Sequence, residues 1–179
     1  MRGILDWLMV ALLVAIGAIA AGSVSAQELC DFISGGGRVP GITVAEPANF
    51  GLHGGCKHGA YWGHVNVLDK GFGPPPGHLK STRITAYLVD GNARHICGEG
   101  EVVKDATGER FSAKFHAKVE DNAQGGVADR FGIVIEDEDG DVRYHLIMRP
   151  LTGGNIERHK EKRSTIAPGG TCEVEPPGG

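Results

Sequence analysis

The sequence has little of what marks membrane-embedded or nucleic-acid-binding proteins. Aromatic residues make up 6% of the 179 residues, and the formal net charge is −4. The only basic cluster is "RHKEKR" (158–163), which a glutamate interrupts. A mildly acidic chain without a longer basic run lacks the electrostatic footprint of nucleic-acid binding, so we predict no nucleic-acid partner.

Long apolar runs are also missing. The longest extends over 15 residues from Trp7 to Ala21, whereas a membrane-spanning helix needs about 20. Arg2 precedes this run, and small residues follow it at the two positions read by signal peptidase. We therefore predict a cleavable signal helix at residues 1–26, with cleavage after Ala26. The product would be secreted or periplasmic, without a membrane span.

No segment after the predicted cleavage site has a helical period. Instead, short segments alternate apolar and polar residues, as where Phe111 and Phe115 flank Lys114 and His116 in "RFSAKFHAKVED". Turn sequences such as "EDGD" and "DGNA" separate these segments. The pattern predicts an all-β antiparallel sandwich or barrel of about eight to nine strands. The predicted core comprises Ile84, Leu88, Phe111, Phe115, Phe131, Ile133, Ile135, Tyr144 and Leu146.

Four cysteines follow the predicted signal peptide. An even number in an exported chain favours two disulfides, with three possible connectivities. Because Cys30 and Cys172 flank the strand-rich region, we predict that they bond, with Cys56–Cys97 as the second pair. Unpaired, buried Cys56 and Cys97 are the alternative, since free cysteine packs as a small hydrophobe. Glycine and proline near the end predict a flexible tail at residues 166–179.

A series of motifs occurs in one order along the chain. They are "SGGGRV", "ANFGL", "GHLKSTRIT", "GVADRFGIVIED" and "LTGGNIERHK". Together they resemble the post-COAP domain of secreted bacterial proteins over residues 31–160. The resemblance implies a single secreted β-rich domain at residues 27–165, without an established activity and without catalytic residues to carry over. From the glycine runs we also expect the first and last strands, at "SGGGRV" and "TGGNIERH", to lie close together.

Three histidines and a cysteine lie within twelve residues in "HGGCKHGAYWGH" (53–64). The candidate metal ligands are His53, Cys56, His58 and His64. Zinc needs three or four ligands, and this spacing matches no compact zinc motif. Strand alternation also sends His53 and Cys56 to opposite faces. We therefore predict a strand, a turn and a second strand, and no structural metal; a glycine bulge that gathers the ligands is the alternative.

Acidic residues form two further candidate sites. Asp137, Asp139 and Asp141 in "EDEDGDV" could ligate calcium, but an acidic β-turn explains the same residues and is favoured. Glu99 and Glu101 are the candidate acids of a hydrolase. Two neighbours on one strand point the same way instead of flanking a substrate bond, so we favour a solvated strand end. No cofactor is predicted.

Catalytic signatures are absent from the sequence. No serine lies in a Gly-x-Ser-x-Gly elbow, and no nucleophile is paired with a base by a known motif. His95, His116 and His145 fall at strand positions, and we expect all three to be surface imidazoles. We assign no catalytic residue.

The sequence favours a secreted, non-catalytic β-domain that binds an extracellular or envelope partner. Because aromatic residues are few, a protein partner is favoured over a polysaccharide, for which Tyr61, Trp62 and Tyr87 are the candidate stacking residues. The alternative is an extracytoplasmic hydrolase or metal-binding protein. It would use Glu99 and Glu101, or the cluster from His53 to His64.

Overall fold

The computed structural model describes most of the chain after the predicted signal peptide. The described ranges are residues 28–42, 46–69, 77–104, 107–122 and 128–178. The predicted signal peptide at residues 1–26 lies outside them. Within these ranges, no helix is long and apolar enough to cross a membrane.

Ten β-strands form in the described residues. They are β1 Glu28–Pro40, β2 Pro47–Lys57, β3 Ala60–Asp69, β4 Gly77–Asp90, β5 Ala93–Lys104, β6 Arg110–Glu120, β7 Arg130–Asp137, β8 Val142–Pro150, β9 Gly153–Ser164 and β10 Gly169–Gly170. Nine strands pair in the order β8-β7-β6-β5-β4-β3-β2-β1-β9, and β10 pairs with β4. The predicted all-β, antiparallel class is confirmed.

The sheet is curled into a half-barrel. β8 and β9 lie at opposite ends of the strand order, yet only two residues separate them in the chain. The curl must therefore bring the two edges together. The connection is held by the amide of Leu151, which donates to the Asp129 carbonyl at 2.9 Å, and the amide of Thr152, which donates to the Arg38 carbonyl at 2.7 Å. The apolar faces of the strands consequently meet across the interior.

Most of the predicted core is confirmed. The buried members are Ile84, Phe115, Phe131, Ile133, Ile135, Tyr144 and Leu146. Phe111 is partly buried and packs against them. Phe50 of β2 stacks on Phe131 of β7 with ring centroids 4.0 Å apart, although these strands are not neighbours. This stack shows that opposite walls of the half-barrel are in contact.

The prediction for Leu88 was wrong because of a β-bulge. The pairing of β4 with β5 shifts between Ile84 and Ala86. An extra residue in one strand reverses the alternation beyond it. Tyr87 therefore points into the core and is fully buried, while Leu88 is only partly buried.

The expected proximity of the first and last strands is confirmed. β1 pairs with β9 antiparallel, with Gly35 opposite Ile156 and Gly37 opposite Gly154. A Cβ atom added at Gly37 would lie 2.4 Å from the carbonyl oxygen of Gly153. The glycine run of β1 thus permits a close backbone approach that larger residues would prevent.

Both predicted disulfide pairs were wrong. Cys30 bonds to Cys56 on the adjacent strand, with Cα atoms 5.8 Å apart, and Cys97 bonds to Cys172 at 5.3 Å. The pairing of β1 with β9 joins the two ends of the strand-rich region without a disulfide. The chain then continues through β10, which pairs with β4, so that Cys172 reaches β5 and not β1. No cysteine is free in the described part of the chain. Two such pairs are typical of an oxidising, extracytoplasmic environment.

Residues 166–178 form a strap across the outside of the sheet, and this C-terminal strap is not the flexible tail that the sequence predicted. It pairs with β4 through β10 and is bonded to β5 through Cys172. Its Val174 carbonyl accepts a hydrogen bond from β6, and its Gly178 carbonyl accepts one from β8. The glycines and prolines of this segment therefore do not make it a free tail, because the strap is attached to four strands.

Candidate functional site

The outer face of β9, β1, β2 and β3 carries a group of aromatic and imidazole rings away from the strap's attachments. We call it the aromatic platform, and it consists of Phe32, His53, Trp62, His64 and His159. All five side chains are partly exposed. Their neighbours in sequence, such as Ile33 and Val65, are buried in the core. Strand alternation therefore places the platform on the solvent side.

Strand register assembles the platform from four strands. Phe32 of β1 lies opposite His159 of β9 and Gly55 of β2, and Gly55 lies opposite Trp62 of β3. A Cβ atom at Gly55 would come within 2.6 Å of the Cβ atom of Phe32. Glycine at this position therefore leaves room for the two large rings on either side of it. In the adjacent row, His53 faces His64.

The rings form a connected surface. Phe32 stacks on His159 with centroids 4.0 Å apart and an interplanar angle of 11°. Trp62 lies 6.0 Å from Phe32 and 5.3 Å from His53, tilted by 46° and 43°. Such offset and tilted arrangements are the favourable ones for aromatic pairs. The hydroxyl of Ser34, 2.7 Å from Nε2 of His159, fixes the orientation of that imidazole.

One member of the histidine row has a shifted pKa, and the other is oriented by a serine. Burial, assisted by the nearby His64, lowers the pKa of His53 below its ordinary value. His64 is oriented by Ser81, whose hydroxyl lies 3.0 Å from Nδ1 of His64 and accepts the Val65 amide at 2.9 Å. The hydrogen bond from Ser81 thus fixes the orientation of the His64 ring on the surface.

A positively charged cleft of about 370 Å³ adjoins the platform. We call it the basic cleft. It is lined by Phe32, Trp62, Lys57, His58, Lys162, Arg163, Asp31 and the Cys30–Cys56 disulfide. The Lys162 ammonium lies 5.8 Å from the centroid of the Phe32 ring. The single acidic lining residue, Asp31, is buried and bonded to Arg94, and Lys57, Lys162 and Arg163 supply the positive charge of the cleft.

Of the three predicted stacking residues, two are partly exposed and one is buried. Trp62 is a member of the platform, and Tyr61 is partly exposed but packs against the core. Tyr87 cannot belong to a binding face because it is fully buried and its hydroxyl donates to Asp31 at 2.7 Å. Burial raises the pKa of Tyr87 well above its ordinary value. The β4 bulge that turned Tyr87 inward is the reason the sequence misplaced it.

The candidate ligands of the 53–64 segment are not brought together. As predicted, the segment is a strand, a turn and a second strand. The sulfur of Cys56 is bonded to Cys30, and His58 lies exposed in the turn with a φ of 52°. The rings of His53 and His64 have centroids 6.3 Å apart. A bulge that gathers all four groups is not formed here.

Among the described residues, one cluster has metal-ligating groups within 4.8 Å of each other, and it consists of Cys97, His116 and Cys172. Its two sulfurs are bonded to one another. The Nδ1 atom of His116 donates to the Val174 carbonyl at 2.8 Å, which leaves Nε2 to accept from Nδ1 of His95 at 2.7 Å. The cluster therefore fastens the C-terminal strap.

The expectation that these histidines lie on the surface was wrong for His95 and His116, which are 8% and 3% exposed. The alternation of β6 was interpreted correctly, but the strap covers its outer face. Burial lowers the pKa of both residues, to about 4 for His95, where the proximity of His116 adds to the effect. His145, which the strap leaves uncovered, is exposed.

Acidification should destabilise the protein through this pair. The ordinary histidine pKa is about 6.5, so an unfolded chain binds protons that the folded His95 excludes. The stabilisation is complete above pH 6.5 and is lost as the pH falls toward about 4. We expect a loss of about 1–3 kcal/mol between pH 7 and pH 4.5, measured by urea denaturation. His95→Gln should flatten this dependence, whereas the control His145→Gln should not; an equally steep slope in both would contradict it.

Glu99 and Glu101 share the outer face of β5, as the alternation predicts. A cleft of about 350 Å³ includes both of them together with Lys114. Arg83 approaches Glu99 at 3.9 Å, and Glu101 is bonded to Arg110. Both carboxylates come from one wall and have arginine partners, so they do not flank a bond from opposite sides as a glycosidase requires.

The acidic segment at 137–141 forms the predicted turn. The Asp137 carboxylate accepts the amides of Asp139 and Asp141 at 3.0 and 2.9 Å, and it is paired with Arg143. Gly140 has a φ of 83°, which glycine adopts most readily. The Asp137 carboxylate is thus engaged by the turn and by Arg143, and Arg143 also lies 3.6 Å from the Asp141 carboxylate.

Sequence analysis missed most of this site. It did not single out Phe32 or Lys57, and it noted His159, Lys162 and Arg163 only as members of the "RHKEKR" cluster. One signal was present: Ile33 begins an inward series on β1, which places the large aromatic Phe32 on the solvent side. The contributions of β3 and β9 depend on strand order, which alternation does not reveal.

Comparison with known proteins finds no match for this chain among family models, characterised proteins or solved structures. The post-COAP resemblance therefore stays a prediction.

Proposed function

We propose that this protein is an extracytoplasmic, non-catalytic binding domain whose ligand docks on the aromatic platform. The observation that carries the proposal is the contact series of Phe32, Trp62, His53 and His159 on an outer sheet face. Large rings gain stability from burial, so their assembly on the solvent side indicates a surface that is covered by a ligand.

The location follows from two independent features. The predicted signal peptide directs export, and the two disulfides suit an oxidising compartment. A secreted or envelope-associated domain is also what the post-COAP resemblance implies. The partner is accordingly an extracellular or envelope component.

A hydrolase is the weaker interpretation of the same surface. Its candidate acids, Glu99 and Glu101, lie on one strand with arginine partners. The platform is built from β9, β1, β2 and β3, whereas these acids are on β5. Binding without catalysis therefore accounts for the geometry better.

Truncating the platform should abolish binding without unfolding the protein. We expect Trp62→Ala and Phe32→Ala to reduce binding at least tenfold to whichever material the unmodified protein binds in a panel of polysaccharides, envelope fragments, vesicles and peptides. Sedimentation or surface plasmon resonance measures binding, and denaturation checks the fold.

A matched control removes another exposed apolar side chain. Ile147 on β8 is 44% exposed and lies outside the platform, so Ile147→Ala should bind like the unmodified protein. If all three variants bind every material equally well, the platform is not the binding surface and the proposal is overturned.

A further inference from the structure

The basic cleft gathers three cations, Lys57, Lys162 and Arg163, around one cavity. Elsewhere, Lys104, Arg110 and Lys114 each pair with a glutamate. Among the described residues, Lys57 and Lys162 have no carboxylate within ion-pair distance, and Arg163 likewise has none. Unpaired cations gathered at one cleft attract an anionic ligand.

The single acid of the cleft does not neutralise these cations. Asp31 is 5% exposed, and both of its oxygens are engaged by Arg94, with Tyr87 as a further donor. Its charge is therefore balanced from the interior. The charged groups that line the cleft and remain available to a ligand are therefore the cations Lys57, Lys162 and Arg163.

Ring faces and cations occur side by side in the cleft. Phe32 and Trp62 line it together with Lys57, Lys162 and Arg163, and the Lys162 ammonium lies 5.8 Å from the Phe32 ring centroid. The C–H face of a sugar ring packs on an aromatic ring, while its carboxylate pairs with lysine or arginine. A volume of about 370 Å³ falls within the usual range for ligand sites, about 300–1,000 Å³.

We propose that the basic cleft binds an acidic polysaccharide, with a sugar ring against Trp62 and Phe32 and carboxylates at Lys57, Lys162 and Arg163. The inference rests on the proposed binding function and names its ligand class. The open sheet face favours an extended polymer, because the platform continues from the cleft toward His53 and His64. A nucleic acid offers similar groups, but the predicted signal peptide favours a polymer that occurs outside the cytoplasm.

The chain supplies its own reporter for the test. It contains two tryptophans, and Trp7 lies in the predicted signal peptide. In a full-length Trp7→Phe background, Trp62 is the only tryptophan and lines the cleft. Its fluorescence can then follow titration with polygalacturonate and with fully methyl-esterified polygalacturonate, which has the same rings without the charge.

Polygalacturonate should change Trp62 emission with saturation, and its affinity should fall as salt is raised. The esterified polymer should bind at least tenfold more weakly. Lys57→Gln combined with Lys162→Gln should weaken polygalacturonate binding about tenfold. Lys160→Gln, an exposed neighbour on β9 outside the cleft, should leave the affinity within twofold of the parent.

Three results would overturn the inference. They are equal binding of both polymers, stronger binding of single-stranded poly(dT) or of phosphatidylglycerol vesicles, and no response to polygalacturonate. Each leaves the proposed function standing if Trp62→Ala and Phe32→Ala still abolish binding to another material. Loss of that platform dependence would instead remove both proposals.

Discussion

Replacing Asp31 by alanine should lower the free energy of unfolding by about 3–5 kcal/mol. Asp31 of β1 and Arg94 of β5 have side chains that are each 5% exposed, and Nε of Arg94 lies 3.0 and 3.1 Å from the two carboxylate oxygens. Three strands separate β1 from β5 in the sheet, so the pair crosses the interior of the half-barrel. Without Asp31, a guanidinium is left buried and uncompensated.

The electrostatic evidence agrees with this prediction. Burial by itself would raise the pKa of Asp31, but the hydrogen bonds from Arg94 and Tyr87 outweigh burial and hold that pKa below its ordinary value. The folded state therefore favours the ionised carboxylate. The carboxylate's contribution is present above the unfolded pKa of about 4 and is lost as the pH falls below it.

Two comparisons show whether the lost stability comes from an uncompensated buried charge or from a general loss of packing. The combination of Asp31→Leu, Tyr87→Phe and Arg94→Met should recover most of the lost stability, because no buried charge then remains and only the Gly91 and Ala93 carbonyls lose a donor. Glu101→Gln, which removes an exposed pair with Arg110, should cost less than about 1 kcal/mol. Urea denaturation measures all of these, and a loss below about 1 kcal/mol for Asp31→Ala would contradict the prediction.

Removing the Cys97–Cys172 bond should cost about 4.5 kcal/mol. The two residues are 75 apart in sequence, and the bond restricts a long loop of the unfolded chain. It also holds the C-terminal strap over His95 and His116, so its loss adds native-state effects to the entropic one. The double variant Cys97→Ser and Cys172→Ser avoids an unpaired thiol.

The control is the corresponding pair of serines at Cys30 and Cys56, which closes a shorter loop with a separation of 26. This second variant should lose about 3.5 kcal/mol and keep the strap in place. Hydrogen exchange at Val174 and His116 should accelerate only in the first variant. Unchanged protection of the strap there would show that β10 and the histidine hydrogen bonds suffice to hold it.

The face of the sheet on which a side chain lies could be predicted within one regular strand. Phe115, Phe131 and Leu146 are buried as predicted, because the pleat alternates side chains between two faces. Alternation assigned side chains to the wrong face where the strand itself is irregular. A single bulge before Ala86 turned Tyr87 inward and Leu88 outward, and no residue of the segment indicates a bulge there.

The outer surface was harder to predict than the interior. His116 occupies an outward position, as predicted, and is nevertheless 3% exposed because the strap lies on it. Phe32 and Trp62 occupy equivalent outward positions on strands that the strap leaves open. Alternation assigns a residue to a face, but it does not tell whether a distant segment covers that face.

By itself, the sequence determined the all-β class, the turns at 90–93 and 138–141, and most of the interior face. Strand alternation and turn chemistry act between residues a few positions apart, so a linear pattern records them. Only the tertiary structure decided the strand order, the cysteine partners and the assembly of the basic cleft. These depend on segments far apart in the chain, such as Phe32 and His159, whose meeting is set by how the whole sheet curls and closes.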